Sequence, residues 1–354
     1  VTPPQPTRGR DGAPRIVDVA RHAGVSTATV SRALATPGQV RPELRERVAA
    51  AVRALGYTPN AAARQLRGGR SRMILVVTLK RWSAPFFSEV LRGIDHELSL
   101  DGYSMILGNL DLDRDRERHV VDMMFSGHID GAIALSGIVA RSEGRTMLDA
   151  GLPVVSICSA TAGTMAVLTD EGESIVAAAR HLAGEGHRDF AYLSGPAGNY
   201  NDAVRAEALA AFFAGPEASG LRLRRIEGDF TTQSGAQAGA HFLTLDPRPT
   251  AVLCCSDEMA IGFMKVVQAG GLEVPRDVSV FGFDGIEFAD YCEPTLTTVR
   301  QPRFDLGRTG ARRLLDRLAG TAPSGDAHLI LRNELSIRNS TGPAPGVGRA
   351  RRTA

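Results

Sequence analysis

No stretch of this 354-residue chain approaches the ~20 apolar residues of a membrane-spanning helix. The N-terminal VTPPQPTRGRDGAP also lacks the apolar run of an export signal, so no membrane partner and a cytoplasmic location are expected. The four cysteines, Cys158, Cys254, Cys255 and Cys292, show no CxxC spacing, and three lie in or beside apolar runs, the pattern of buried free thiols. Asp111, Asp113 and Asp115 imitate the start of a calcium loop. Arg116 stands where that loop needs Gly and Asp122 where it needs Glu, so the run reads as a capped, charged helix start. Also missing are G-x-G-x-x-G, G-x-x-x-x-G-K, G-x-S-x-G and H-E-x-x-H, which removes the commonest signatures of an enzyme on this kind of scaffold. The histidines are scattered; His187 and His241 fall in helix or turn contexts where surface or capping roles are expected. No metal and no cofactor are expected.

What is present is unevenly placed. Lys and Arg total 41 against 39 Asp and Glu, yet residues 8–72 hold 13 Arg against four acids, Asp11, Asp18, Glu43 and Glu46. The first fifth of the chain therefore carries an excess of nine positive charges and the remainder an excess of seven negative ones, which marks the basic end as a candidate nucleic-acid module. Within it, IVDVARHAGVSTATVSRAL (16–34) has the pattern of a helix-turn-helix. Ala20 allows close packing, Gly24 takes the left-handed backbone of a tight turn, and Val30 fills the space between the helices. Ser26 stands at the N-cap of the second helix. That places Thr27, Ala28, Thr29, Ser31 and Arg32 on its outer side. In the major groove Arg32 can pair with guanine and the methyls of Thr27 and Ala28 can touch thymine, while Ser26, Thr29, Ser31 and Tyr57 suit phosphates. A third helix is predicted over Pro42–Leu55.

This stretch and the GYTPNAAARQLRGGRSR that follows it resemble the headpiece and hinge of the lactose and purine repressor family, in which an NxxAxxL segment forms a short helix on DNA. Asn60, Ala63 and Leu66 match it. NAAARQLR is too short to be helical alone, so it is expected to fold on the duplex, with Leu66 wedged into the central base step from the minor groove.

From Met73 onward short apolar runs alternate with amphipathic stretches, the signature of parallel strands joined by helices. Strands are predicted at 73–79, 104–109, 131–136, 153–157, 166–170, 190–195, 251–257 and 278–284, with helices around 87–98, 173–185, 231–245 and 257–269. Right-handed crossovers would fold these into two doubly wound lobes, with ligands at the carboxyl ends of the strands. APFFSEVLRGI, HIDGAI, GHRDFAYLSGP, SDEMAIG, DVSVFGFD and PTLTTVRQP extend the family resemblance over 73–338, and this body is similar to periplasmic sugar-binding proteins. The expected organisation is a disordered tail (1–14), an all-α helix-turn-helix headpiece (15–58), a hinge (59–71), an α/β periplasmic-binding-protein-like core of two lobes (72–340) and a second disordered tail (341–354).

The resemblance implies an effector pocket of Phe86, Phe87, Glu171, Asn199, Asn201, Arg205, Phe230, Ser256, Asp257 and Asp284. Carboxylates and amides would hold hydroxyls, Arg205 would add a fork of donors, and the Phe rings would stack on a sugar or base face. Plainer readings compete: Asp257 as a helix N-cap, and at least one of Phe86 and Phe87 as core. Asp284 ends an apolar strand where packing offers no reason for a carboxylate. Ala84 replaces the Asn often found before PFF, and Glu171 stands where the family frequently has Asn or Asp. Asn199 and Asn201 differ from the Arg and Thr of purine-binding relatives, which favours a sugar, sugar phosphate or polyol over a purine. The function implied is a ligand-responsive regulator, in the first instance a repressor, acting as a homodimer on a pseudo-palindromic operator. The alternatives are a periplasmic-type solute-binding protein and a purine- or nucleoside-responsive corepressed regulator.

Overall fold

The computed structural model describes residues 14–58, 70–78, 84–110, 113–322 and 328–346. The hinge residues Asn60, Ala63 and Leu66, and nearly all of the expected N-terminal tail, lie outside them. The chain divides into two compact units, Val1–Ser71 and Arg72–Ala354. Among the described residues no helix is long and apolar enough to cross a membrane.

The first unit holds α1 (Ile16–Ala23), α2 (Thr27–Ala35) and α3 (Pro42–Leu55). Val19, Ala20, Ala23, Val30, Ala33, Val48 and Ala51 form its core, small residues that let three short helices approach closely. Gly24 ends α1 at φ 61°, a conformation that a side chain resists. Arg47 of α3 donates to the carbonyls of Ala23 (2.7 Å) and Gly24 (3.3 Å), closing the exposed end of α1 and fixing α3 against the turn.

The second unit contains two six-stranded sheets and a small hairpin. Its strands are β1 (Met73–Thr78), β2 (Ser104–Asn109), β3 (Gly131–Leu135), β4 (Arg141–Ser142), β5 (Arg145–Thr146), β6 (Val154–Ile157) and β7 (Met165–Thr169), followed by β8 (Asp189–Leu193), β9 (Arg222–Ile226), β10 (Ala251–Cys254), β11 (Ser279–Asp284), β12 (Thr297–Arg300), β13 (Leu329–Leu331) and β14 (Glu334–Ser336). The helices are α4 (Ala84–Leu100), α5 (Arg114–Phe125), α6 (Glu171–Gly184), α7 (Tyr200–Ala214), α8 (Thr232–Leu243), α9 (Asp257–Ala269) and α10 (Arg303–Ala319). Asp113 caps α5, accepting from the Asp115 amide at 2.9 Å, as the charged-helix-start reading requires.

Lobe 1 has strand order β13-β7-β6-β3-β1-β2, all parallel; lobe 2 has β14-β12-β11-β10-β8-β9, parallel except for the antiparallel β12–β14 pair. The strands buried in both sheets are near-continuous apolar runs, as parallel sheets covered on both faces require. The chain crosses between lobes three times, at Thr169–Glu171, Arg300–Arg303 and Leu331–Glu334. After the second crossing α10 returns to lobe 1 and packs on α4. Gly93 and Gly307 permit this, since a Cβ on either would collide with the other helix's backbone, at the Phe304 and Val90 carbonyls.

His187 departs from expectation. It is completely buried, with Nδ1 2.9 Å from Thr250 Oγ1 and Nε2 3.0 Å from the Gly342 carbonyl and 3.1 Å from Ser279 Oγ. A carbonyl only accepts, so Nε2 carries the proton and Nδ1 accepts from Thr250. The same contacts hold the chain beyond residue 340 against lobe 2: the Gly342 amide donates to Ser279 Oγ at 3.1 Å and the Ala344 amide to Glu185 at 2.9 Å. Thr341 and Ala344 are buried, so packing continues past the boundary expected for the C-terminal tail.

Burial pulls the His187 pKa below the ordinary value; His181 adds to this, while Glu185 and the Gly342 bond oppose it. The folded protein thus holds fewer protons than the unfolded chain just below the unfolded pKa of about 6.5. Stability from this site is complete above that pH and falls as pH drops through it. The melting temperature is expected to fall by a few degrees between pH 7 and 5.5, and His187→Gln to flatten that dependence; equal slopes in both proteins would contradict it.

Candidate functional site

Two sets of candidate side chains are arranged by this fold. In the first unit Ser26 caps α2, its Oγ accepting from the Thr29 amide at 3.1 Å and lying 2.9 Å from Thr29 Oγ1. Val30 and Ala33 turn inward, while Thr27, Ala28 and Arg32 are exposed and Thr29 and Ser31 half-buried. The outer face is therefore a short polar row ending in a guanidinium, on a helix held rigid by its own core. Tyr57 packs half-buried against that core.

The second set lies at the junction of the lobes, where the three crossings carry polar side chains into contact. Thr169 Oγ1, at the end of β7, is 3.2 Å from Glu171 Oε1 and 3.1 Å from Gln301 Oε1, and Gln301 Nε2 donates to Asp284 Oδ1 at 2.9 Å. Glu171 pairs with Arg205 Nε. Arg205 Nη1 donates to the Cys255 carbonyl at 2.5 Å and lies 3.3 Å from its Sγ, and the guanidinium stacks 3.5 Å from the centre of the Phe283 ring. Glu171, Arg205, Asp284 and Gln301 are all buried. A second guanidinium, Arg303, bridges the lobes by donating to the carbonyls of Pro85 (2.9 Å) and Gly285 (2.8 Å).

Burial raises the Asp284 carboxyl well above the usual range; Asp257, Glu171 and Glu258 add to this and Arg205 opposes it. Burial works against the Arg205 charge, but Glu171, Cys255 and Asp284 outweigh it and hold the guanidinium firmly protonated. Backbone strain marks the same place. Of six non-glycine residues with positive φ among the described residues, Cys158 (64°) directly follows β6, Phe230 (69°) precedes α8 and Asp284 (122°) ends β11. Non-glycine residues held this way are costly and gather where function over-determines the backbone.

Not every expected residue is free to meet a ligand. Asp257 is completely buried; it accepts from Thr298 Oγ1 at 2.6 Å and the Ile286 amide at 2.8 Å, so it props the turn after Asp284. It is not the N-cap of α9 either, because Ser256 is, accepting from the Met259 amide and donating to the Phe230 carbonyl. Asn199 Oδ1 caps α7 through the Asp202 amide at 3.0 Å. Phe86 and Phe87 are both buried in the lobe 1 core, edge to face at 4.9 Å. Besides Glu171, Arg205 and Asp284, the expected residues left at the junction are Asn201, whose buried Oδ1 has no partner among the described residues, and Phe230, half-buried with its ring on Gly195. The buried Ser194 Oγ, at the end of β8, is likewise unpartnered among the described residues.

Sequence reading missed Gln301, Thr169 and Arg303. Gln301 directly follows a strand, but TTVR is too short and polar to stand out as one. It also missed Asp202, which gathers Tyr192 OH (2.8 Å), the Gly195 amide (2.8 Å) and Arg225 Nη2 (2.9 Å) beneath the loop that carries Asn199. Among the described residues no group of three His, Cys, Asp or Glu could hold a metal. A separate recess of about 480 Å³ on lobe 1, walled by Arg114, Arg118, Arg141, Arg145, Glu117 and Glu143, contains none of these junction residues.

Residues 15–60 match the bacterial regulatory proteins described as the lacI family, and residues 179–341 match a periplasmic binding protein-like domain. Over 337 residues the chain is 33% identical to the HTH-type transcriptional repressor CytR of Escherichia coli (strain K12), covering 93% of this chain and 96% of that one. The chain belongs to the LacI family. A second LacI-family relative, catabolite control protein A of Priestia megaterium, is 33% identical over 332 residues, covering 92% of this chain and 98% of its own. The lac repressor dimer bound to operator and the anti-inducer ONPF aligns with a TM-score of 0.80 at 27% identity, covering 93% of this chain and 99% of that one. The complex of the transcriptional regulator CelR with cellobiose aligns at 0.69 and 30%, covering 92% and 99%. The predicted fold, a helix-turn-helix headpiece plus two doubly wound lobes, is borne out. This LacI-family chain is a DNA-binding transcription regulator with a ligand-binding domain, not an enzyme.

Proposed function

We propose that the protein acts in the cytoplasm as a homodimeric repressor of a pseudo-palindromic operator, controlled by a small sugar-like molecule held between the lobes. The observation that carries this reading is the exposed row Thr27, Ala28 and Arg32 on a rigidly capped helix, in the same chain as a lobe junction lined by Glu171, Arg205, Asn201, Phe230, Asp284 and Gln301. One headpiece makes few base contacts, and two related by a dyad supply the missing affinity. Phe288 and Tyr291, 61% and 78% exposed and one turn apart on lobe 2, suit a surface that a second copy covers. In this reading Thr27, Ala28 and Arg32 read bases, Ser26, Thr29, Ser31 and Tyr57 hold phosphates, and Asn60, Ala63 and Leu66, outside the described residues, are assigned to DNA contact. The related structures with operator, ONPF and cellobiose support both the operator and the sugar-like ligand.

Because the junction residues are buried, ligand entry requires the lobes to part, and Arg303 couples that motion to α4 and to the turn after Asp284. An effector that binds the two lobe arrangements unequally shifts operator affinity by at most that ratio, and the operator shifts effector affinity by the same factor as the effector shifts operator affinity. Fluorescence anisotropy of a labelled operator, with a panel of sugars, polyols and nucleosides, tests this. One compound is expected to change operator affinity by about 5–150-fold, the usual size of such coupling, and Asp284→Asn to abolish the change. A response that persists undiminished in Asp284→Asn contradicts the assignment of this site.

A further inference from the structure

Two guanidiniums stand at the lobe junction, and the fold already occupies both. Arg205 is 2% exposed, pairs through Nε with Glu171, donates through Nη1 to the Cys255 carbonyl and rests on the Phe283 ring. Arg303 donates to two main-chain carbonyls, one from each lobe. Facing them are the carboxyls of Glu171 and Asp284, with Asp257 behind. The buried side-chain atoms without a partner among the described residues include Asn201 Oδ1 and Ser194 Oγ, and Asn333 Oδ1 at the third crossing; the amide oxygens accept and the hydroxyl is able to. A phosphate brought to this place would have to displace Glu171 from Arg205, stranding a buried carboxylate, or lie against that carboxylate, and either costs much at a buried site. An uncharged ligand with hydroxyl donors meets the Glu171 carboxylate and the acceptors Asn201 Oδ1 and Ser194 Oγ.

We infer that Glu171 is a charge-selecting residue: by neutralising Arg205 it makes the junction accept an uncharged, donor-rich ligand and refuse the phosphorylated form of the same ligand. This narrows the sugar, sugar phosphate or polyol expectation to its neutral members, and it rests on the effector-site reading above. Glu171→Gln keeps an acceptor for Arg205 Nε but removes the neutralising charge, so the variant gains an anion site.

The test is scanning fluorimetry and titration calorimetry on the full chain at constant ionic strength, with duplex DNA present to fill the headpiece. The probes are ribose and ribose 5-phosphate, glucose and glucose 6-phosphate, uridine and uridine monophosphate, and inorganic phosphate. In the parent, any neutral probe that binds is expected to exceed its phosphorylated partner by at least about tenfold, and inorganic phosphate to give no stabilisation; in Glu171→Gln, phosphate or a sugar phosphate binds at least about tenfold tighter than in the parent. A parent that prefers a phosphorylated probe, or is stabilised by inorganic phosphate, overturns the inference whether or not the variant folds. So does a folded Glu171→Gln that gains nothing. Failure of the underlying reading looks different: neutral probes would bind the parent but keep their affinity in both Asn201→Ala and Asp284→Asn.

Discussion

Replacing Arg205 by Met is expected to lower the unfolding free energy of the core by about 3–5 kcal/mol, because it strands the buried Glu171 carboxylate. The Cys255 carbonyl loses its donor in the same step, and the Phe283 ring its cation. Most of this cost belongs to the partner left behind and not to the attraction itself, so the effect should be strongly non-additive. Glu171→Met with Arg205→Met is expected to recover a large part of the loss, because neither charge then remains buried. Urea unfolding of the parent, the single variants and the double variant measures the coupling. A loss below about 1 kcal/mol for Arg205→Met, typical of an exposed pair, would show that water reaches the guanidinium and that the junction is not the closed polar site described.

The local order of this molecule was largely legible in its sequence. Pro42–Leu55, Ser104–Asn109 and Asp257–Ala269 form helix, strand and helix over the predicted spans, since each has a strong apolar period and clear stop signals at its ends. Arg222–Ile226 escaped because RLRRI is an edge strand with one face in solvent, and Thr297–Arg300 because its burial is achieved with threonines that hydrogen-bond to Asp257 and to Thr341. The return of α10 to lobe 1 was not legible, because it depends on Gly93 and Gly307, more than two hundred residues apart, each lying against the other helix's backbone. The family resemblance put Glu171, Arg205 and Asp284 in one set, and all three lie at the junction. It could not reveal that Asp257, Ser256 and Asn199 are engaged in turns and caps, or that Gln301 closes the bridge from Thr169 to Asp284. Those assignments depend on which donor lies nearest in space.

The second large effect concerns Arg32. Its side chain is exposed on the outer face of α2, while the neighbouring Val30 and Ala33 are buried, so the core gives no reason for a guanidinium at that position. Paired with guanine through two hydrogen bonds, it is worth about 1–3 kcal/mol of base discrimination, and a symmetric dimer loses that amount in each half-site when it is removed. Binding by this Arg-rich end should also weaken steeply with salt, since each phosphate neutralised releases counterions.

The most direct measurement is selection of bound duplexes from a randomised pool by the full-length chain, at fixed salt, followed by the same selection with Arg32→Ala. The parent is expected to enrich an inverted repeat, and the variant to lose preference at one base pair, at the same place in each half-site. A parent that enriches no inverted repeat, or an Arg32→Ala protein that enriches the same sequence with the same stringency, would contradict the account.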